Sequence, residues 1–522
     1  MRIFLAVFSL SLALLTGCGT ATADKSGAGA VDGNTVDGDI AARPGPDAAD
    51  SSSQPTPAAN QADDTSRSTP KIAKPPPQGD LRTRKTGVDW PRFLGTHGDS
   101  KSPEQGVLTA WPKAGPRIVW QRQLYTGYGA PVVSRGRLYQ FSRVKDNARL
   151  TCMRSETGEE LWTFEYPTDY KDMLGYNNGP RCSPLVDGDR VYLFGSEGML
   201  HCVNAIDGKM IWKVDTQKQF GVVQNFFGVG GAPWVEDDLL LVMVGGSPPE
   251  SQEAGAGGRL DAVKSNGSGV VAFDKMTGRV KYYIGDELAS YSGPVVTTIG
   301  DRRWAFVFAR GGLLGFEPAT GKIDFHFPWR AKMLDSVNAS TPVVVGDQVL
   351  ISETYGPGAA LLKVRPGGYD VVWSDEKKGR DKSLQTHWNT PIHHKGYVYG
   401  SSGRHTPNAE LRCVEWQTGK VMWTQGGLDR SSLLYVDEHF VCLTEYGDML
   451  LLKANPEKLE VVASVTLTEE AAGPQLPGFG PRRLLEYPAW AAPILSHGLL
   501  YIRGKDRLVC LELIPEKKPD DS

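Results

Sequence analysis

The chain has 522 residues, a formal net charge of −3, 40% hydrophobic residues and 22% charged ones. That balance suits one large all-β domain with extensions. It carries no basic stripe of the kind that holds nucleic acid. There is also no Walker loop, no H-E-x-x-H and no zinc-type cysteine pair.

Residues 1–17 stand apart. Arg2 precedes an apolar run from Ile3 to Leu15, which is too short to span a bilayer and reads as an export signal. The run ends in Leu-Thr-Gly-Cys at Leu15–Cys18. From residue 18 to about 88 Ala, Asp, Ser, Gly and Pro dominate, with almost no aromatic residues. Such a stretch buries too little apolar surface to offset its ordering entropy, so a flexible, disordered tether is expected.

The remainder, 89–522, is repetitive. One unit recurs as "LTCMRSETGEELWTF" from Leu150, "LHCVNAIDGKMIWKV" from Leu200 and "LRCVEWQTGKVMWTQ" from Leu411. Each copy reads as two alternating strands around a Thr-Gly or Asp-Gly turn. Gly158, Gly208, Gly278, Gly321 and Gly419 are expected to supply the positive φ of that turn. Trp162, Trp212, Trp373 and Trp423 are expected to plug the space between sheets. A second repeat precedes each copy, as in "APVVSRGRLYQF" from Ala130 and "SPLVDGDRVYLF" from Ser183. It is also strand-turn-strand. Four strands per unit and eight units predict an eight-bladed β-propeller of four-stranded antiparallel blades. The last unit lacks its outer strand, and "GPRIVWQRQL" at Gly115–Leu124 is the expected replacement. The ring would then be closed by an N-terminal strand, which removes its open edges.

Four of the seven cysteines, Cys152, Cys202, Cys413 and Cys510, share one repeat position, as a small apolar core residue would. The residues just before each inner strand should ring the channel mouth. They include Tyr128, Asn178, Arg181, Phe227, Tyr291, Asn338, His387, Trp388, Asn389, Arg430 and Trp490. Aromatics, amides and arginines together suit a polar ligand with a flat face, and they equally suit a capped channel. Among acidic residues only Asp335 and the more distant Glu486 fall in such entry segments. The Gly/Ser-rich insertion Gly245–Gly269 has the composition of a disordered loop.

The copies at Cys413–Trp423 and Cys202–Trp212 are the ones that best match the pattern A-x-D-x-x-T-G-K-x-x-W, with Cys at its first position and Glu or Asn at its third. By that pattern the chain resembles the PQQ-like (pyrroloquinoline-quinone) propellers, which include quinoprotein dehydrogenases and BamB-like outer-membrane assembly lipoproteins. The segment "DWPRFLGTHGDSKSPE" at Asp89–Glu104 resembles the entry segment of uncharacterised propellers of this group. Leu-Thr-Gly-Cys resembles a bacterial lipobox, which implies cleavage before Cys18 and a lipid on its thiol. The resemblance implies a monomeric, non-catalytic scaffold. It would be tethered through its lipid on the periplasmic side of the outer membrane, with an envelope protein or polar ligand as partner and no cofactor. The alternative is a PQQ-dependent dehydrogenase acting on alcohols or sugars. It would need PQQ, Ca²⁺ and carboxylates, for which Asn178, Asn338, Trp388 and Asn389 are candidate contributors and acidic residues are scarce. The adjacent cysteine pair of many PQQ alcohol dehydrogenases is absent from the sequence.

Overall fold

The computed structural model describes residues 79–256, 259–334, 336–469 and 482–516. The signal segment, Cys18, the tether up to residue 78 and Asp335 lie outside them. Eight twisted sheets form the blades, each built from four antiparallel strands. Blade 1, for example, comprises Val132–Ser134, Arg137–Val144, Asn147–Arg154 and Glu160–Pro167. Neighbouring blades approach at their first strands, which therefore surround the axis. Among the described residues no helix is long and apolar enough to cross a membrane.

Blade 8 is shared between the two ends of the propeller. Ile118–Gln123 pairs antiparallel with Arg507–Glu512, with Trp120 opposite Cys510. Leu499–Arg503 and Ile494–Ser496 complete the sheet. The ring is thus closed by the expected N-terminal strand, which covers the outward edge that Arg507–Glu512 would otherwise leave unpaired.

The core is not central. It is divided among seams between adjacent sheets, such as Leu241, Val270, Ala305 and Val307 between blades 3 and 4. One interaction recurs at the outer part of these seams. The tryptophan on the outer strand of one blade lies against the turn glycine of the next. A Cβ added to Gly158, Gly208, Gly278 or Gly419 would meet the indole of Trp120, Trp162, Trp212 or Trp373 at 2.8, 2.5, 2.8 and 2.8 Å. Those glycines have φ of 70, 72, 72 and 68°. Glycine is therefore required twice, for its backbone angle and for the room it leaves. Trp120 and Trp373 also donate their indole N–H to the carbonyls of Ser155 and Trp416, both at 2.8 Å. Tyr282 replaces the tryptophan opposite Gly321, and Trp423 donates to the Asn455 carbonyl at 3.0 Å. A side chain upstream helps hold the turn: Asn204 Oδ1 accepts the Ile206 N–H at 2.8 Å.

The structure departs from expectation in three places. Residues 79–88 are not free chain. The Leu81 N–H donates to the Arg135 carbonyl, Arg84 reaches Glu512 and the Ile514 carbonyl, and His497 meets the Thr86 carbonyl. The packed domain therefore starts near Gly79. Next, Lys101–Ser102 adds in parallel to the first strand of blade 7, opposite Tyr435 and Val436, so that sheet has five strands. Finally, the insertion expected to be disordered holds a helix at Pro249–Ala256 and a 3-10 turn at Leu260–Ala262. Leu260 and Val263 anchor it by packing on Phe226, Leu288 and Val337. Two apolar residues in a Gly/Ser-rich stretch escape a composition argument.

The seam makes a quantitative forecast. Gly208→Ala should cost about 3 kcal/mol, combining a left-handed alanine with overpacking against Trp162. Gly188→Ala, with φ of 60° and nothing within 4 Å of the new Cβ, should cost only about 1 kcal/mol. Denaturant midpoints measure both, and equal losses would refute the docking role of the indole.

Candidate functional site

The loops entering the first strands and those joining second to third strands meet on one face. There they enclose a cup of about 500 Å³, lined by residues of all eight blades. Its wall follows from strand geometry. Seven first strands are preceded by a small residue and a proline, and five of those small residues, Ala130, Ser183, Ala232, Thr390 and Ala492, line the cup. In extended chain, residues two apart share a face. The residues two positions earlier therefore also face the cup. Tyr128, Arg181, Gly230, Trp388 and Trp490 are those residues, and Arg430 stands in the same relation to Ser432. Small side chains make the deeper ring and aromatic or guanidinium groups the upper one.

Part of the upper ring is an unbroken run of tilted aromatic contacts. Tyr128 and Trp490 have centroids 4.9 Å apart, Trp490 and Trp388 4.7 Å, and Trp388 and His387 4.7 Å. The Arg430 guanidinium lies 4.5 Å from the Trp388 centroid and 5.4 Å from that of Trp490. Arg181 lies 5.3 Å from Tyr128 and 5.9 Å from Phe227, whose ring packs on Tyr291. These are desolvated cation–π contacts.

Buried charges behind the wall hold it in place. The Glu445 side chain has no exposed surface and pairs with Arg430, Nη2 to Oε2 2.6 Å. It also accepts from Trp490 Nε1 at 3.0 Å and Thr406 Oγ1 at 2.9 Å. Burial raises this carboxyl, but the Arg430 and Trp490 hydrogen bonds outweigh it and the group ends below the ordinary value. Asp172, equally buried, pairs with Arg181, which also donates to the carbonyls of Asn177 and Gly179, both at 2.7 Å. Arg503 clamps the loop carrying Tyr128 by donating to the carbonyls of Gly129 and Gly127 at 2.7 and 2.6 Å. Burial lowers its guanidinium to about 10. Glu353 accepts from Ser336 Oγ at 2.8 Å, and burial raises its carboxyl to about 7.

His387 is enclosed in this wall. Its Nε2 lies 3.0 Å from the Tyr355 hydroxyl. Burial, then Arg430 and Arg404, lower the imidazole to about 3, so it is neutral at physiological pH. That makes it a packed, hydrogen-bonding histidine and a poor general base.

Of the residues expected at the mouth, Tyr128, Arg181, Phe227, Tyr291, His387, Trp388, Asn389, Arg430 and Trp490 line the cup. Asn338 does not. It lies between Val337 and Ala339, faces its blade, and donates to the carbonyls of Ala309, Arg310 and Trp329. Asn178 is exposed on its loop, where its Oδ1 accepts the Asp172 N–H at 2.8 Å. Asn389 touches the cup but spends its amide on the Ser431 carbonyl at 2.7 Å. Sequence reasoning missed Glu445, Asp172, Arg503, Tyr355 and Arg404. A usable signal existed for two of them: a charged residue ends or directly follows an apolar second strand at Glu445 and Arg503, as also at Glu353, with Arg310 one residue further on in blade 4.

A family model described as outer membrane protein assembly factor BamB matches residues 100–247 and 147–425. The chain belongs to this BamB family of PQQ-repeat propellers. A curated relative, BamB of Shewanella oneidensis, is 23% identical over 272 residues, which is 50% of this chain and 61% of the relative. Among solved structures, quinohemoprotein alcohol dehydrogenase from Comamonas testosteroni superposes with a TM-score of 0.54 at 12% identity. That match covers 83% of this chain and 82% of the other. BamB from Moraxella catarrhalis gives 0.47 at 11% identity, covering 76% and 99%. At such identities the structural likeness speaks for the fold alone.

The propeller family implies PQQ with Ca²⁺ in some members, a pair that needs carboxylate and amide oxygens close together. The described lining residues of the cup include no carboxylate. Glu445 and Asp172 stand behind it, saturated by arginine. No group of three His, Cys, Asp or Glu side chains among the described residues could hold a metal ion. Hard Ca²⁺ needs six to eight oxygen ligands, carboxylates among them, so the described cup does not fit it.

Arg430→Met tests the pinning of the wall. It leaves Glu445 buried without its cation and should cost about 3–5 kcal/mol at neutral pH. The native carboxyl is depressed below 4.5, so its stabilisation is present above that value and is lost as pH falls through the folded value. The variant's deficit should therefore shrink as the solution is acidified and Glu445 takes up a proton. Denaturant midpoints at pH 4 and pH 8 (about the two sides of the transition) read it. A deficit independent of pH would show that Arg430 acts by packing alone.

Proposed function

We propose that the chain is an exported, lipid-anchored, non-catalytic binding protein of the bacterial envelope, a scaffold of the kind the BamB name describes. The observation carrying this reading is the state of the cup's ionisable groups. Arg181 and Arg430 are committed to buried carboxylates, and His387 is held neutral against Tyr355. Groups committed in this way position and hold, and none of these three is a poised base or nucleophile. Family membership supports a role in assembling outer-membrane proteins, and the lipobox at Leu15–Cys18 supports a tether on the periplasmic side of that membrane. The partner would be an envelope protein or polar ligand docking on the loop face.

The quinoprotein reading keeps one favourable feature, the Trp388–Trp490 platform, on which a flat ring could stack. It lacks the carboxylate donors named above.

Cys18→Ser should release the protein from the membrane fraction or leave its signal uncleaved, with loss of acyl label. Purified protein given PQQ and Ca²⁺ should neither bind the quinone nor reduce an artificial acceptor with alcohols or sugars. Cells lacking the chain should show reduced outer-membrane β-barrel levels. Stoichiometric PQQ binding that is lost on Trp388→Ala, or unchanged β-barrel levels, would overturn the scaffold reading.

A further inference from the structure

The segment Asp89–Ser102 was recognisable in the sequence, yet no role in binding follows from the blade repeat. In the structure it is a strap across the end of the channel opposite the loops. Trp90 exchanges backbone hydrogen bonds with Val133 of blade 1 at 2.9 and 2.8 Å. The Pro91 carbonyl accepts from Val186 of blade 2 at 2.8 Å, and Arg92 lies 4.3 Å from the Trp234 ring of blade 3. On the other side the Ser100 carbonyl accepts from Tyr435 of blade 7 at 2.9 Å. Glu104 then accepts from His497 and Gly498 of blade 8 at 2.9 and 2.6 Å. A chain fixed on blades 7, 8, 1, 2 and 3 must cross beneath the axis.

Two large apolar side chains, Phe93 and Leu94, are carried across there. Phe93, Leu94 and Ser100 form part of the cup lining, below the ring of small residues. Leu94 is 3% exposed and has φ of 58°, a left-handed conformation that a leucine adopts only when its surroundings impose it. Its carbonyl is held by the Ser100 N–H at 2.8 Å. A glycine would occupy this backbone freely, so the conformation alone gives no reason for a large side chain. The side chain's place in the cup lining does.

We infer that the strap is the specificity-determining floor of the cup. Leu94 and Phe93 set how deep a ligand enters and close the channel to passage from the opposite face. The layering then selects an amphipathic ligand that enters apolar end first. Its apolar body meets the floor and the small-residue ring, while its polar head stays level with Arg181 and Arg430. This rests on the reading of the cup as a binding site.

The test uses the full chain and anilinonaphthalene sulfonate, an apolar ring system with an anionic head, as probe. Wild type should bind one equivalent. Leu94→Trp fills the floor and should weaken binding about tenfold, roughly the loss of one well-packed apolar contact. Leu94→Gly empties the floor and relieves the backbone. Its thermal midpoint reports folding, and its preference should shift severalfold towards a longer dansyl-labelled fatty acid. Unchanged affinities in both variants would overturn the inference. Trp388→Leu separates the two levels. If it loses the probe while the Leu94 variants do not, the cup binds but the strap is not its floor. If it too binds unchanged, the cup's binding role falls with the inference.

Discussion

Each blade is a twisted sheet that cannot cover its own faces, and the ring exists only because neighbouring sheets lock together. The lock is an indole seated on a glycine turn. Trp120, Trp162, Trp212 and Trp373 each lie on the turn glycine of the following blade. One residue of each pair supplies a large apolar face, and the other supplies both a positive φ and an absent Cβ. Because each contact joins successive blades, stability accumulates from neighbour to neighbour, as in other repeat architectures. The two ends of the propeller meet within blade 8, so that Trp120, from the N-terminal strand, docks on Gly158 in blade 1 and carries the sequence of contacts across the closure.

A ring locked in this way still leaves its inner loops to be placed. Here the charged residues at or just beyond the ends of the second strands take over. Arg503 holds the Tyr128 loop, Glu445 holds Arg430 and Trp490, and Arg310 holds the Ser336 carbonyl at 3.0 Å. Each is buried, so each strongly favours the geometry that satisfies it and penalises any other. The result is a preorganised wall whose guanidinium groups lie over indole faces with their charges already balanced from behind. That is a surface prepared for recognition.

Much of this was legible beforehand. Turn glycines, plug tryptophans and the missing outer strand all follow from local periodicity, because a blade is a local unit that repeats. The ring of entry residues was placed nearly correctly, since it follows from where each inner strand begins. Asn338 failed for a local reason: it is one residue out of phase, and in extended chain one residue turns a side chain to the opposite face. The helix within Gly245–Gly269 failed because Leu260 and Val263 find their partners on other loops, which composition does not register.

The sequence by itself determined the blade, the number of blades and the closure, because those depend on patterns within about fifty residues and on one orphan strand. Only the tertiary structure decided the cup. Its floor comes from residues 93–100 and its wall from residues as far along as Ala492. The carboxylates that fix its arginines lie on loops whose contact partners no spacing announces. Burial also made His387 neutral and inert, although the same His-Trp pair in the sequence is compatible with a base. Charge state in a protein interior is set by the groups packed around it, and those are chosen by the fold.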